Sequence, residues 1–236
     1  LDYETNFTRL AAQPLRYEPG TGWEYSVAID VLGAVIAKVT GGTLEAAVAQ
    51  YVTRPLGMAD TAFHITDRAR LAANYANTAS GPVAMGDNYR HRNADGTQTL
   101  FSPCRAFNPK AFQAGGAGMV GTPADMFRFF DAVRADMPGV LKPETFALAA
   151  RPQTGEVWRV PGCKFSYFSD IIVDPVAAKT PESAGTLGWG GIYGHSWFVD
   201  PARDLTVLMM SNTAPAGVDG AYVDAVRDAV YAGLAG

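Results

Sequence analysis

Residues 18–26 read EPGTGWEYS and lead directly into an apolar pattern that predicts a helix from Ser26 to Thr40. A second unusual stretch, GWGGIYGHSW at residues 188–197, has the composition of a strand, a tight turn and a partner strand. The first stretch is a proline- and glycine-rich turn that ends in a tyrosine, and the second is a glycine-rich hairpin with aromatic residues. These two stretches organise the rest of the chain, because helical patterns dominate around the first and strand patterns around the second.

Residues 1–150 are predicted to form a mainly helical lobe. The helix from Ser26 to Thr40 is apolar on nearly every side, so we expect it to be buried among other helices. Thr43 and Thr122 each precede a helical pattern and suit an N-terminal cap. Further helices are predicted at Thr5–Gln13, from Thr43 to about Thr53, from Thr122 to about Ala135, and from about Pro143.

Residues 74–114 are polar and rich in turn signals, and we predict an irregular loop that borders a cleft. Beyond residue 150 the pattern changes to strands, predicted at 165–173, 186–191, 193–200 and 205–211, and the chain closes with an amphipathic helix from about residue 219. Residues 151–236 are therefore predicted to belong to an α/β lobe. Helices followed by an antiparallel run and a covering helix predict an α+β fold of two lobes.

Composition excludes several classes of protein. The 236 residues are 48% apolar and 18% charged, which is typical of a compact globular protein. A net charge of −4 gives no reason to expect nucleic-acid binding. The longest apolar stretch, Val27 to Val39, is too short to span a bilayer. Cys104 and Cys163 are interpreted as unpaired thiols, and the three histidines are too isolated to predict a metal site.

The two stretches resemble the second and third motifs of the serine β-lactamase and penicillin-binding-protein superfamily, in its family VIII carboxylesterase branch, which is similar to class C β-lactamases. The resemblance covers most of the chain, from about Pro14 to Asn212, and implies a β-lactamase-like fold. The first motif of that family, Ser-x-x-Lys, is not found in these 236 residues. The residues three positions before the five lysines are Val35, Phe107, Gly139, Pro161 and Val176.

The resemblance therefore implies that the nucleophile comes from an N-terminal fragment of the same polypeptide that carries Ser-x-x-Lys. We expect the fold to be incomplete without that fragment, because a sheet and a helical lobe that lack it would expose apolar surface. This fragment is the expected protein partner of the chain.

Tyr25 matches the tyrosine of the Tyr-x-Asn/Ser motif, and the resemblance implies that it acts as a general base. A free phenol has a pKa near ~10, so a neighbouring ammonium group would have to lower the pKa of Tyr25. The lysine of Ser-x-x-Lys would supply that ammonium group. Val27 stands where β-lactam-hydrolysing relatives usually carry asparagine, and valine cannot donate the side-chain hydrogen bond. This difference favours esters over β-lactams.

Trp189-Gly190-Gly191 stands where β-lactamases carry Lys-Thr/Ser-Gly on a strand that we expect to be an edge strand. The resemblance implies that the Ile192 N–H donates to the oxyanion, that Trp189, Gly190 and Gly191 contact substrate, and that Tyr193 helps to shape the pocket. Tryptophan in place of lysine removes the cation that meets a β-lactam carboxylate. We interpret His195 as structural, because no serine lies in the Gly-x-Ser-x-Gly turn that a Ser-His-Asp site of that kind needs.

The sequence thus predicts a serine hydrolase that cleaves small carboxylic esters through an acyl-enzyme, with no metal or organic cofactor. Two alternatives stay open at this point. One is a β-lactamase or D,D-peptidase, and the other is a non-catalytic penicillin-binding-like module that binds peptidoglycan or a protein.

Overall fold

The computed structural model describes residues 3–93 and 95–234, so the outermost residues of the two predicted lobes, 1–2 and 235–236, lie outside it. The helices are α1 (Tyr3–Ala11), α2 (Ala28–Thr40), α3 (Leu44–Val48, continued by a π-helical turn at Ala49–Thr53), α4 (Pro123–Arg134), α5 (Pro143–Ala149), α6 (Pro175–Ala178) and α7 (Ala221–Leu234). The strands are β1 (Tyr75–Thr78), β2 (Gly81–Ala84), β3 (Tyr89–Arg92), β4 (Gln98–Phe101), β5 (Cys163–Phe165), β6 (Asp170–Ile172), β7 (Leu187–Gly191), β8 (His195–Asp200), β9 (Leu205–Met210) and β10 (Thr213–Ala214). Short 3₁₀ turns lie at Arg68–Arg70, Pro103–Phe107 and Pro201–Arg203.

A five-stranded antiparallel sheet, in the order β5-β6-β7-β8-β9, forms the centre of the C-terminal part. On one face, Phe130 and Val133 of α4 and Phe146 of α5 pack against Leu187 and Val199 of the sheet. On the other face, α7 covers the sheet through the second cluster of buried residues, Phe198, Met209 and Tyr231. The predicted α+β class and the covering terminal helix are confirmed.

The predicted boundary at residue 150 stays a prediction. The structure shows that α4 and α5, which precede it, pack on the sheet that follows it. A small sheet also connects the two ranges, because β10 pairs in parallel with β1, and β2 pairs with β1 on its other side. The two predicted lobes therefore share a core and a sheet.

Two helix starts follow the predicted capping chemistry. The hydroxyl of Thr43 accepts a hydrogen bond from the Ala46 N–H at 3.1 Å, and the hydroxyl of Thr122 accepts from the Asp125 N–H at 3.3 Å. Both bonds satisfy a backbone donor that the first turn of a helix would otherwise leave without an acceptor. The capping roles of Thr43 and Thr122 are confirmed.

Asp125 ties the start of α4 to the loop after α3. Its carboxylate is 2% exposed and accepts hydrogen bonds from the Asp60 N–H at 2.7 Å and the Thr61 hydroxyl at 3.1 Å. Arg128 pairs with its other oxygen at 2.7 Å. A buried carboxylate is tolerated here because donors surround it and because it lies in the first turn of a helix.

Residues 74–114 are more ordered than predicted. They contain two antiparallel hairpins, β1-β2 and β3-β4, and the 3₁₀ turn at Pro103–Phe107. The strands are only four residues long and carry polar residues, so alternation was too weak to separate them from a loop. The predicted strand at 165–173 is also wrong in extent, because a tight turn at Ser166–Ser169 divides it into the antiparallel strands β5 and β6.

Helix α2 ends at the predicted Thr40 but begins at Ala28, two residues after the predicted Ser26, and the expected burial on all sides is wrong for the described part of the chain. Only Gly33 and Ala37 are buried, and the side that carries them faces α3 and Gly115. Its other side exposes a row of apolar residues, Val31, Leu32, Val35 and Val39. An apolar surface of this kind typically marks a contact with another segment or protein.

Within the described residues, no single helix has the length and apolar composition needed to cross a bilayer. Helix α2 and the helical segment Leu44–Thr53 meet those criteria only as a pair, and the pair is bent by 78°.

Candidate active site

The fold brings the two predicted motifs together at Tyr25. The centroid of its ring lies 5.3 Å from the ring of Trp189, with an angle of 51° between the planes. Tyr25 immediately precedes α2, whereas Trp189 lies on β7 in the C-terminal sheet. The side chain of Tyr25 is 56% exposed, so its hydroxyl is open to a reactant from outside the described residues.

An open pocket of about 320 Å³ lies beside Tyr25. The start of α2 forms one wall, and a glycine-rich segment forms the other. The lining residues are Tyr25, Ser26, Val27, Ile29, Asp30, Gly116 and Ala117. Volumes near 300 Å³ are at the lower end of those that hold small organic ligands. The pocket is therefore large enough for a small ester.

The second wall was not predicted from the sequence. The backbone at Gly115 approaches α2 so closely that a Cβ atom there would lie 2.0 Å from the Ile29 carbonyl oxygen. At the next residue, the Gly116 N–H donates to the Asp30 carboxylate at 2.9 Å. The run of glycines at 115–118 was the available signal, because glycine permits close backbone approach.

Trp189 packs against Tyr25 and is itself supported from the sheet. The ring of Phe165 on β5 meets it edge-on at 5.0 Å, and the Arg159 guanidinium lies 5.6 Å from its centroid. Trp189 does not line the pocket of about 320 Å³, but it contacts the ring of Tyr25, which does. Its predicted contact with substrate stays a prediction.

The prediction that β7 is an edge strand is wrong in part. Strand β7 lies between β6 and β8, and β6 pairs with its first two residues, Leu187 and Gly188. In the described part of the chain, Trp189, Gly190 and Gly191 pair only with β8, so the backbone edge is open at these three residues. A Cβ atom at Gly190 would meet Val218 at 3.0 Å, which gives this glycine a packing role in addition to its predicted role in binding.

Ile192 begins the turn between β7 and β8. The Gly194 N–H donates to the Gly191 carbonyl at 2.9 Å, and Gly194 has a φ of +105°, which favours glycine. Among the described residues, the Ile192 N–H has no hydrogen-bond acceptor. A free N–H in a tight turn after an open strand edge is available to an oxyanion, and the role of Ile192 stays a prediction.

Tyr193 and His195 lie on the far side of this turn. The hydroxyl of Tyr193 accepts a hydrogen bond from the Ser102 N–H at 3.0 Å, and its ring meets Phe101 edge-on at 5.0 Å. Burial raises the pKa of Tyr193 and lowers the pKa of His195. Tyr193 therefore contacts the segment at 98–107 and does not line the pocket beside Tyr25, and its predicted role in shaping the substrate pocket stays a prediction.

Comparison with known proteins identifies similar chains. The chain is 48% identical to Esterase EstB of Burkholderia gladioli over 236 residues, which cover 98% of this chain and 60% of that protein. It is 30% identical to Lovastatin esterase of Penicillium rubens, over 81% of this chain and 51% of that protein. The chain thus spans about half to three-fifths of the length of these relatives.

Solved structures give the same fold. EstCE1, described as a hydrolase with promiscuous acyltransferase activity, superposes with a TM-score of 0.91 at 38% identity, over 98% of this chain and 62% of that one. Simvastatin synthase from Aspergillus terreus superposes with a TM-score of 0.72 at 20% identity, over 98% of this chain and 59% of that one, and shares the fold. The family model of the β-lactamases matches residues 1–232. The chain, with its β-lactamase-like two-lobe fold of helices and antiparallel sheets, belongs to the β-lactamase family.

Proposed function

We propose that this protein hydrolyses small carboxylic esters through an acyl-enzyme intermediate. The contact between Tyr25 and Trp189 carries the proposal, because it joins a tyrosine at the mouth of a pocket to an open strand edge and a free turn N–H. The identity of 48% to an esterase supports the same reaction class.

In the proposed reaction, the serine of a Ser-x-x-Lys segment, from outside these 236 residues, attacks the ester carbonyl carbon. Tyr25, next to the lysine of that segment, takes the serine proton and returns it to the leaving alcohol. A water molecule then attacks the acyl-serine, Tyr25 takes its proton, and the carboxylic acid leaves as the serine is restored. Each half-reaction forms one C–O bond and breaks another, so no redox cofactor is required.

The Ile192 N–H would stabilise the negative charge that develops on the carbonyl oxygen in both steps. Its lack of an acceptor among the described residues supports this role, because an oxyanion donor must be free in the resting enzyme. The loss of one such donor typically costs about 3 kcal/mol of barrier. Trp189 and the open edge at Gly190 and Gly191 would hold the substrate beside it.

The exposed side of α2 supports the proposed position of the Ser-x-x-Lys segment. Val31, Leu32, Val35 and Val39 form an exposed apolar row on α2, and the first turn of the same helix lines the pocket beside Tyr25, so a segment packed on α2 would lie near that pocket. Expression of the chain alone and together with that segment tests this proposal. When both are expressed, we expect the chain and the segment to co-elute on native gel filtration. A monodisperse 25 kDa chain that hydrolyses esters alone would refute the need for the segment.

Tyr25→Phe in the protein with its Ser-x-x-Lys segment tests the reaction. The matched control is Tyr51→Phe, because Tyr51 is 54% exposed, close to the 56% of Tyr25, and does not line the pocket. We expect Tyr25→Phe to lower kcat for a p-nitrophenyl ester by about 10²- to 10⁴-fold, the range for loss of a general base. Tyr51→Phe should change kcat by less than about two-fold, as expected for a surface residue.

Two outcomes would contradict the proposal. A loss below about ten-fold in Tyr25→Phe would exclude it as the base. Turnover of a chromogenic cephalosporin above that of esters would instead indicate a β-lactamase. Labelling by a fluorophosphonate separates both enzymes from a non-catalytic binding module, since only the enzymes require a reactive serine.

A further inference from the structure

Four aromatic rings contact one another in series and end at Tyr25, and we call this series the aromatic clamp: Trp23, Phe165, Trp189 and Tyr25. Successive ring centroids are 4.9 Å apart for Trp23 and Phe165, 5.0 Å for Phe165 and Trp189, and 5.3 Å for Trp189 and Tyr25. Trp23 and Tyr25, the two ends of the series, are separated by one residue in the chain. Centroid distances of 4.5–7 Å are those of favourable aromatic pairs.

The strand register explains why Phe165 reaches Trp189 across an intervening strand. Phe165 of β5 pairs with Asp170 of β6, and Asp170 pairs with Gly188 of β7. Strand β6 begins at Asp170, so Phe165 and Trp189 lie at the point where it no longer separates β5 from β7. The two rings therefore meet edge-on, with an angle of 86° between their planes.

A cation supports the clamp from the sheet. The Arg159 guanidinium lies 5.6 Å from the centroid of Trp189, within the range of a cation–π contact. Its position is set by an ion pair with Asp170 at 2.6 Å. Trp189 thus has contacts with Phe165 and Arg159 on the sheet and with Tyr25 at the pocket.

Tyr25 itself has little else to hold its ring. Among the described residues, its hydroxyl has no hydrogen-bond partner and Trp189 is its only aromatic contact. A general base must stay within hydrogen-bond reach of the proton that it takes. Trp189 therefore constrains the ring of Tyr25 from the side of the C-terminal sheet, and Phe165 in turn constrains Trp189.

We propose that Phe165 is a positioning residue that holds Trp189 against Tyr25 and so keeps the phenol in place for proton transfer. This inference rests on the proposed esterase function. It gives a role to a residue outside both family-like motifs, on a strand that contributes nothing to the pocket lining.

The test compares three variants in the protein with its Ser-x-x-Lys segment. Phe165→Leu removes the ring, Phe165→Tyr keeps it, and Phe198→Leu makes the same change at a buried phenylalanine of the same sheet that stacks on Tyr231. We expect Phe165→Leu to lower kcat for p-nitrophenyl acetate by about 10- to 100-fold, the effect of a misplacement near 1 Å, with KM changed by less than about three-fold. Phe165→Tyr and Phe198→Leu should each retain kcat within about three-fold, because both leave the contacts of Trp189 intact.

A measurement that does not depend on catalysis separates the proposed role of Phe165 from the proposed esterase function. These 236 residues contain four tryptophans, and in the ¹⁹F spectrum of the 5-fluorotryptophan-labelled protein the signal that Trp189→Phe removes is that of Trp189. Phe165→Leu should shift or broaden that signal, and Phe198→Leu should leave it unchanged.

An unmoved Trp189 signal in Phe165→Leu would overturn the clamp, whatever the kinetics. A moved signal with unchanged kcat would overturn the positioning role. If the unmodified protein hydrolyses no ester and reacts with no fluorophosphonate, the proposed function fails, and the signal alone decides whether Phe165 holds Trp189.

Discussion

Gly115→Ala should disturb the pocket through a single added atom. A Cβ atom at this position would lie 2.0 Å from the carbonyl oxygen of Ile29 and 2.9 Å from its carbonyl carbon. Nonbonded contacts of this type need more than 3 Å, so the segment at 115–117 or the first turn of α2 must move by about 1 Å. Overpacking of this kind typically costs about 1–3 kcal/mol of unfolding free energy. The shift also changes the pocket, because Gly116 and Ala117 line it.

Stability and activity together test this reasoning. Urea denaturation should show Gly115→Ala to be less stable by about 1–3 kcal/mol, and kcat/KM for a small ester should fall by about ten-fold or more. Gly86→Ala is the matched control, because no atom lies within 4 Å of its added Cβ and its φ is not positive. The control should be neutral or more stable by up to about 1 kcal/mol, since alanine restricts the unfolded chain.

Two outcomes of these measurements would contradict the role of Gly115. A Gly115→Ala protein as stable as Gly86→Ala, with unchanged kcat/KM, would show that the segment at 115–117 does not press on α2. A loss of stability with unchanged kcat/KM would show that the close approach is real but that this wall does not hold the substrate.

Two further predictions concern buried carboxylates. Asp125→Ala should lower the free energy of unfolding by about 3 kcal/mol, because it removes charge-assisted hydrogen bonds in the core. The control is Asp131→Ala on the same helix, whose ion pair is partly exposed and whose loss should cost less than about 0.5 kcal/mol. Equal losses of the two variants in urea denaturation would contradict this prediction. Burial alone would raise the pKa of Asp200, but hydrogen bonds to its carboxylate, including one from the Tyr231 hydroxyl at 2.7 Å, outweigh burial and lower that pKa. The ionised Asp200 therefore stabilises the folded protein above about pH 4, and this stabilisation is lost as the pH falls through the lowered pKa. Tyr231→Phe should therefore destabilise the protein by about 1.5–3 kcal/mol at pH 7 and by progressively less below about pH 4, whereas Tyr222→Phe, on the exposed side of α7, should show no such pH dependence.

Local chemistry explains the elements that were predicted correctly. Thr43 and Thr122 cap their helices because a hydroxyl next to free backbone donors forms the same hydrogen bond in almost any context. The hairpin at β7 and β8 was recognisable because Gly194 permits a backbone conformation that other residues rarely adopt. The family resemblance likewise depended on short, ordered strings of residues around Tyr25 and Trp189.

Elements stabilised by distant contacts could not be predicted in the same way. The four-residue strands of the segment at 74–114 owe their order to pairing, including the parallel pairing of β1 with β10 near the other end of the chain. The turn at Ser166–Ser169 that separates β5 from β6 is an exception, because local hydrogen bonds between its own serines hold it; it was missed because it contains no glycine or proline. Neither feature produces the alternation on which strand prediction depends.

The order of residues was therefore enough to predict the α+β class, the main helices and the two motifs that contain Tyr25 and Trp189. The folded chain was needed to show that the glycines at 115–116 form the second wall of the pocket and that Phe165 belongs to the aromatic clamp. The physical reason is range. Caps and tight turns depend on neighbours within a few residues, whereas the pocket and the clamp depend on contacts between residues that are far apart in the chain and meet only when it is folded.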